Sequence, residues 1–328
     1  MEIGKFIRQN NHYSAFIPSK FPPDNRFECS QKLILKHSKA ERLLGKLDGI
    51  TQLLPDVDFF IFMYIRKDAA SSSQIEGTLA TMIDAIEAEA KTSGALPKDV
   101  DDILHYIKAL NYGLDRIKKI PMSLRFIREL HKVLMEGARS THFSDPGEFR
   151  KTQNWIGGTS IKNASYIPPP PIEMKNALYD FENFLHTEDD MLPLLKAGFI
   201  HAQFETIHPF LDGNGRTGRL LITFYLWLSR LLDKPVLFLS SYFKRYQKEY
   251  YRRLNGYHNS EVEEWFEYFI NGIIETADKA ILTAQRITDL RQEEMDKIQK
   301  LSKTASKSGV VVLRQLFALP IVNVNTIR

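Results

Sequence analysis

A single cysteine, Cys29, stands in 328 residues. An internal disulfide is therefore excluded, and a lone thiol suits a reducing, cytoplasmic compartment. Long apolar runs are also missing. The longest, Leu220–Leu228, is about half of what a membrane-spanning helix needs, so no membrane partner is expected. The N-terminus, Met-Glu-Ile-Gly-Lys-Phe-Ile-Arg, lacks the apolar core of a secretory signal. Excess charge of either sign is lacking too. A net charge of +4 is small for this length and argues against an extended nucleic-acid surface. No Gly-Lys-Ser/Thr occurs, which rules out a Walker P-loop. The chain shows no internal repeat. What remains, 43% hydrophobic and 26% charged, is ordinary for a globular chain of about two domains.

The most informative stretch is His208-Pro-Phe-Leu-Asp-Gly-Asn-Gly-Arg-Thr-Gly-Arg219. Gly213 and Gly215 flank Asn214, so the backbone there can take dihedrals closed to other residues and turn its N–H groups inward as an anion cradle. The apolar run Leu220–Leu228 behind it reads as a buried helix, whose positive end adds to the cradle. Arg216 and Arg219 lie three apart and share one face of that first turn. Two guanidiniums, a backbone nest and a helix N-terminus suit a polyphosphate. Asp212 adds a hard oxygen ligand for Mg²⁺. His208 adds a proton acceptor near neutral pH. Gly213-x-Gly215-x-x-Gly218, with Asp233 about twenty residues on, also fits the dinucleotide fingerprint. That reading needs a strand before the glycines, and residues 194–207 read as a helix instead.

This stretch resembles the signature of Fic-domain proteins, His-x-Phe-x-(Asp/Glu)-Gly-Asn-Gly-Arg-x-x-Arg, with no departure. Upstream, Ser72-x-x-x-Glu76-Gly77 resembles that family's inhibitory motif. The local reading of residues 69–78 is a short helix closed by Gly77, with Glu76 at the wrong end of the dipole. Such a cost without local benefit points to a distant partner. Downstream of Asp145-Pro-Gly147, a β-prone hairpin at about 149–168 ends in Pro168 to Pro171. With Gly147-x-x-Arg150 it resembles the family's flap, a ribbon that docks the target peptide.

The remaining chain reads as helical, giving an all-α fold with one β-hairpin. Residues 1–30 suggest an irregular arm. Helices are expected from 31 to about 54, from Pro55 to about 67, from 81 to 90, from 99 to 117 and from 123 to 135. A break is expected at 92–97. Further helices are expected at 172–186 and 192–207, at 242–254 with tyrosines on one side, and at 263–274. A long polar helix would run from 275 to about 302. His131, in an apolar setting, reads as a packing histidine. Three regions follow: 1–118 with the inhibitory helix, 119–275 as the Fic domain, and 276–328 as a linker helix and the start of a winged-helix-like module.

The resemblance implies an adenylyltransferase that moves AMP from ATP to a Ser, Thr or Tyr hydroxyl of a protein, including itself. His208 would be the base and Asp212 the Mg²⁺ ligand. Gly213, Gly215 and the Asn214 side chain would hold the α- and β-oxygens, Arg216 the β-phosphate and Arg219 the γ-phosphate. Tyr250 and Tyr251 would touch the base, with Asn255 and His258 further along. Glu76 would inhibit by taking Arg219. The implied partners are ATP and a protein target on the flap, with a homodimer left open. Two alternatives stand: AMP removal or a sibling transfer at the same site, and an ATP-sensing DNA-binding regulator. The small net charge and the incomplete C-terminal module speak against DNA.

Overall fold

The computed structural model describes residues 1–9, 13–22, 27–54, 57–90, 96–137, 145–187, 190–318 and 320–321. The breaks expected at Pro55 and at 92–95, and the end of the expected C-terminal module at 322–328, lie outside these residues. Among the described residues twelve α-helices and a single two-stranded sheet make up the regular structure, apart from one short 3₁₀ turn. The all-α expectation holds. No described helix is long and apolar enough to cross a membrane.

Two helices form the centre, α7 (Pro193–Ile207) and α8 (Asn214–Leu228). Every residue of α7 from Leu194 to Ile207 is buried. Its sequence has no polar stripe, and a helix apolar on all sides belongs inside a protein. Pro193 occupies its first turn, where a missing N–H costs nothing. Around this pair pack α4 (Val100–Arg116), α5 (Leu124–Met135), α6 (Pro171–His186) and α11 (Val262–Gln299), and α1 (Gln31–Leu53) lies along α11. Ser30 and Ser123 cap α1 and α5, accepting from Leu33 N at 3.2 Å and Phe126 N at 3.3 Å. Glycine sets two close approaches. A β-carbon on Gly113 of α4 would collide with the Phe224 ring of α8, and one on Gly198 of α7 would sit 2.8 Å from Phe266 of α11. One contiguous core runs from Ile3 to Ala284.

Several boundaries differ from the sequence reading. The helix expected to end near Lys67 and the short one after it are a single helix, α2 (Val57–Ile75). The helix continues through the polar residues 66–68 because Arg66 and Asp68 find partners on other elements. Arg66 pairs with both Glu89 oxygens at 2.6 and 2.7 Å, and buried Asp68 accepts from Tyr106 OH at 2.7 Å and Ser240 N at 3.0 Å. Gly77, at φ 94°, ends α2 in the left-handed turn expected of it. The tyrosine-rich helix expected at 242–254 is split at Tyr246 into α9 (Ser240–Arg245) and α10 (Gln247–His258). Helix α11 passes unbroken through residue 275, and α12 (Lys303–Ala318) follows it.

The regular hairpin is also elsewhere. Strands β1 (Gly4–Arg8) and β2 (Ser14–Pro18) pair antiparallel in the N-terminal arm, which had read as irregular. The flap at 149–168 carries only the bridge Ile156↔Tyr166 and a short 3₁₀ turn at Ile161–Asn163. Gly157 and Gly158, at φ 68° and 70°, turn its backbone out of strand geometry. The arm backs the flap. Phe16 N donates to Ile167 O at 2.8 Å, and Phe6, Phe16 and Tyr166 form an aromatic cluster.

Candidate active site

The turn between α7 and α8 is built by four local devices. His208 closes α7 in the left-handed conformation, at φ 48° and ψ 59°. A non-glycine residue held there implies surroundings that over-determine it. Those surroundings are visible. Arg150 Nε donates to His208 O at 3.0 Å, and its other nitrogens reach Thr152 O at 3.1 Å and Pro169 O at 2.5 Å. A guanidinium over the last carbonyls of α7 also meets the negative end of that helix. Burial pulls the Arg150 pKa down to about 10, which still leaves it charged.

Asn214 does work that the sequence reading assigned differently. Its side chain is buried and clamps Phe210, accepting from Phe210 N and donating to Phe210 O, both at 2.8 Å. It is thus taken up in shaping the loop rather than turned toward phosphate oxygens. His131, read as mere packing, is a second clamp. Its Nε2 lies 2.9 Å from Asp212 O, its Nδ1 accepts from Gly147 N at 2.9 Å, and its ring stacks on Phe210 at 3.6 Å. Burial lowers its pKa to about 4, so it is neutral at physiological pH, as a ring accepting from an N–H must be. Gly213, at φ 77°, is the N-cap of α8. A β-carbon there would sit 2.7 Å from Met135 Sδ and 3.3 Å from His131 Nε2.

The result is an N-terminal turn of α8 whose first N–H groups have no intrahelical partner. It opens on a cavity of about 520 Å³ lined by His208, Asp212, Gly213, Asn214, Gly215 and Arg219. Glu76, Glu205, Tyr250, Tyr251 and the flap residues Trp155 and Tyr166 also contribute to the wall. Asp212 Oδ1 accepts from Gly213 N at 2.6 Å and lies 3.8 Å from Arg216 Nη2. Among the described residues no cluster of three or more metal-binding side chains exists. Asp212 is the carboxylate that the loop itself turns to the cavity.

The two signature arginines point to different places. Arg216 is buried against α5, with Met135 Sδ at 3.5 Å, and does not line the cavity. Arg219 is buried and fully engaged with the end of α2. Its Nε donates to Ser72 Oγ at 2.8 Å, and its Nη2 donates to Ser72 O at 3.0 Å and Glu76 Oε1 at 2.7 Å. Burial is the largest influence and works against the charge, but Glu76, Tyr250 and Tyr106 together outweigh it and raise the Arg219 pKa. The loop after Glu76 is itself tied down, with Thr78 Oγ1 on Asp102 at 2.9 Å and Leu79 N on Asp99 at 2.6 Å. The pairing of Glu76 with Arg219 expected from the motif is thus present.

Both residues of the tyrosine pair line the cavity, but they differ in exposure. Tyr250 is buried, with its hydroxyl 2.8 Å from His201 Nε2 and its ring stacked on Phe243. Tyr251 is 39% exposed at the cavity rim. Asn255 and His258 also line the cavity. The His258 ring stacks on Tyr166 at 4.0 Å and its Nε2 lies 3.0 Å from Thr206 Oγ1, which joins the flap to α7.

One residue was passed over. Glu205 of α7 is a buried carboxylate, with Oε2 3.6 Å from His208 Nδ1. Burial pushes its pKa up, but His208, His201 and Arg219 outweigh that and hold it low. The available signal was a glutamate three residues before His208, in a helix without a solvent-facing polar stripe.

Two family models match the chain, the Fic/DOC family N-terminal model at residues 34–115 and the Fic/DOC family model at residues 121–226. A protein adenylyltransferase Fic from Drosophila grimshawi is 29% identical over 250 residues, covering 74% of this chain and 46% of the relative. The Drosophila melanogaster protein of the same name is 29% identical over 244 residues, covering 72% and 44%. The chain spans about half the length of the curated relatives it matches. In fold, it is similar to a Fic family protein from Desulfovibrio desulfuricans G20, with a TM-score of 0.69 at 19% identity over 88% of this chain and 86% of that one. It is also similar to Fic-1 from C. elegans, with a TM-score of 0.59 at 17% identity over 78% and 73%. The two models together match more than half of the 328 residues, the signature loop is intact, and the chain belongs to the Fic/DOC family.

Proposed function

We propose that this protein is an adenylyltransferase, transferring AMP from ATP to a Ser, Thr or Tyr hydroxyl of a protein, itself included. The observation that carries the reading is that His208 and the open N-terminal turn of α8 line one cavity. The names of the relatives, protein adenylyltransferase Fic, agree with it.

Transfer of this kind asks mainly for positioning and charge stabilisation. His208 takes the proton as the target hydroxyl oxygen bonds to the α-phosphorus. The bond from the α-phosphorus to the bridging oxygen breaks, and pyrophosphate leaves with that electron pair. The free N–H groups of the first α8 turn hold phosphate oxygens, with the helix dipole behind them. Asp212 offers Mg²⁺ one carboxylate, and the bound ion would neutralise charge on the polyphosphate. Arg216 would exchange its Met135 and Asp212 contacts for the β-phosphate. Arg219 would exchange Glu76 for the γ-phosphate, since the Nη2 that donates to Glu76 cannot serve a phosphate oxygen at the same time.

That exchange makes Glu76 an internal inhibitor. With Glu76 on Arg219, ATP can still enter, but its α-phosphate need not lie in line with the attacking hydroxyl. The target would dock along the flap, where Trp155 is 42% exposed beside the cavity. Incubation with α-labelled ATP, alone and then with lysate, should label protein. A mass gain other than AMP on a labelled target, or the loss of AMP from a modified one, would overturn the assignment in favour of a sibling chemistry.

A further inference from the structure

We propose that Glu205 is the positioning residue of His208, a carboxylate that holds the imidazole with Nδ1 toward the protein and Nε2 toward the cavity. The proposal rests on the reading of His208 as the proton acceptor. Three observations carry it. First, Glu205 is 8% exposed on a helix with no polar face, and a carboxylate there is expensive unless something needs it. Second, its Oε2 lies 3.6 Å from His208 Nδ1, and that nitrogen is buried with no other partner. This is just beyond hydrogen-bond length, a gap often seen before substrate tightens a site. Third, room for the carboxylate comes from Gly218 on α8. A β-carbon at that position would sit 2.6 Å from Glu205 Oε1. Gly218 falls in the variable pair of the signature, so its lack of a side chain needs this local reason.

The neighbours leave His208 as the natural recipient. His201, one turn earlier on α7, is engaged through Nε2 with Tyr250, and His258 of α10 through Nε2 with Thr206. The Nδ1 of each is buried without a partner, as that of His208 is, but only His208 Nδ1 comes within 4 Å of a Glu205 oxygen as an ion pair. Arg219, Tyr250 and Tyr251 are the other titratable groups whose charges reach Glu205. A carboxylate facing Nδ1 favours the tautomer with its proton there, which leaves the Nε2 lone pair free. When Nε2 takes the hydroxyl proton, the imidazolium forms opposite a standing negative charge. Glu205 itself stays ionised throughout.

The test uses the full chain with Glu76→Gly, alone and combined with Glu205→Gln, Glu205→Ala or His208→Ala. Nitrogen-15 imidazole spectra, assigned by the His208→Ala control, should show the proton of His208 on Nδ1. Glu205→Ala should remove that preference. With ATP and self-modification as the readout, Glu205→Gln should lower kcat by about 10–100-fold, the usual cost of losing such a support. The KM for ATP and the melting temperature should stay near those of the parent. An unchanged His208 tautomer in Glu205→Ala overturns the proposal, as does a kcat loss that only follows a loss of melting temperature. AMP transfer missing from every background, Glu76→Gly included, counts against the adenylyltransferase reading instead, because the spectra read Glu205 without turnover.

Discussion

A β-carbon on Gly215 would overlap the Glu76 carboxylate oxygen Oε1. The end of α2 thus presses its glutamate directly onto the first turn of α8. Standing at the C-terminal end of its own helix, Glu76 is locally disfavoured. The positive end of α8 and the Arg219 guanidinium supply what its own helix denies it. The same two features are what a nucleotide phosphate would seek, so inhibitor and substrate compete for one set of donors.

Glu76→Gly should therefore raise labelled-AMP incorporation well above wild type, with a much smaller change in ATP affinity. Misplacement on the order of 1 Å can cost about 10²-fold in rate, and this is the size of gain expected when the block is removed. Arg219→Ala should be inactive with or without Glu76. Equal activity of wild type and Glu76→Gly would return Glu76 to the status of a surface glutamate.

His208→Ala should abolish transfer and leave ATP binding nearly intact. The ring lines the cavity, but the phosphate-holding groups are backbone donors and arginines. Loss of a general base typically costs ~10²–10⁴ in rate. Titration with ATP beside a rate assay separates the two effects, and near-normal transfer by the variant would refute the role.

Asp212→Ala in Mg²⁺ should lose most activity, as should wild type in excess chelator. The variant should fold normally, because the Asp212 side chain is 42% exposed and its hydrogen bond is to the adjacent Gly213 N. Full activity in either arm would remove the metal from the reaction.

Stability should fall on mild acidification. Burial lowers His131 and His201 from 6.5 to about 4 and His258 to about 3. Below pH 6.5 the unfolded chain binds protons at these positions and the folded chain does not. The stabilising contribution of their neutral forms is complete above pH 6.5 and is lost as pH falls toward 4. The slope is up to about 1.4 kcal/mol per pH unit for each group. Melting curves at pH 7.5 and 5 should differ by several degrees, and His258→Asn should narrow the gap. Equal melting temperatures would mean that these rings accept protons in the folded state.

Much of the site was legible because its devices are local. Glycine at 213 and 215 and the apolar run behind them define a helix N-terminus without any distant contact, whereas the three-residue arginine spacing misleads, since Arg216 turns to α5 and Arg219 to α2. The Glu76 partnership was also foreseen, because a local mismatch and a motif pointed the same way. The flap was not legible as it is. Its β-prone residues support one bridge, since Gly157 and Gly158 turn the backbone away, while the arm at residues 4–18 gains a regular ladder by packing on it. The long α2 was hidden as well, because Arg66 and Asp68 look like solvent-facing residues until Glu89, Tyr106 and Ser240 arrive.

The amino-acid sequence by itself determined the helical class, the anion-binding turn at 208–219 and the residue types available for proton, metal and phosphate. All of these follow from periodicity and from backbone freedom within a dozen residues. Tertiary structure alone decided which polar side chains are spent on holding the loop and which are free to act. Asn214 and His131 are consumed as clamps, Arg216 turns to Met135, and Glu205 comes to face His208 because Gly218 leaves it space. A buried polar group must find a partner; for His131 and Arg216 that partner lies on a distant element, and for Asn214 and Glu205 it lies close in sequence but is reached only in the folded geometry of the turn.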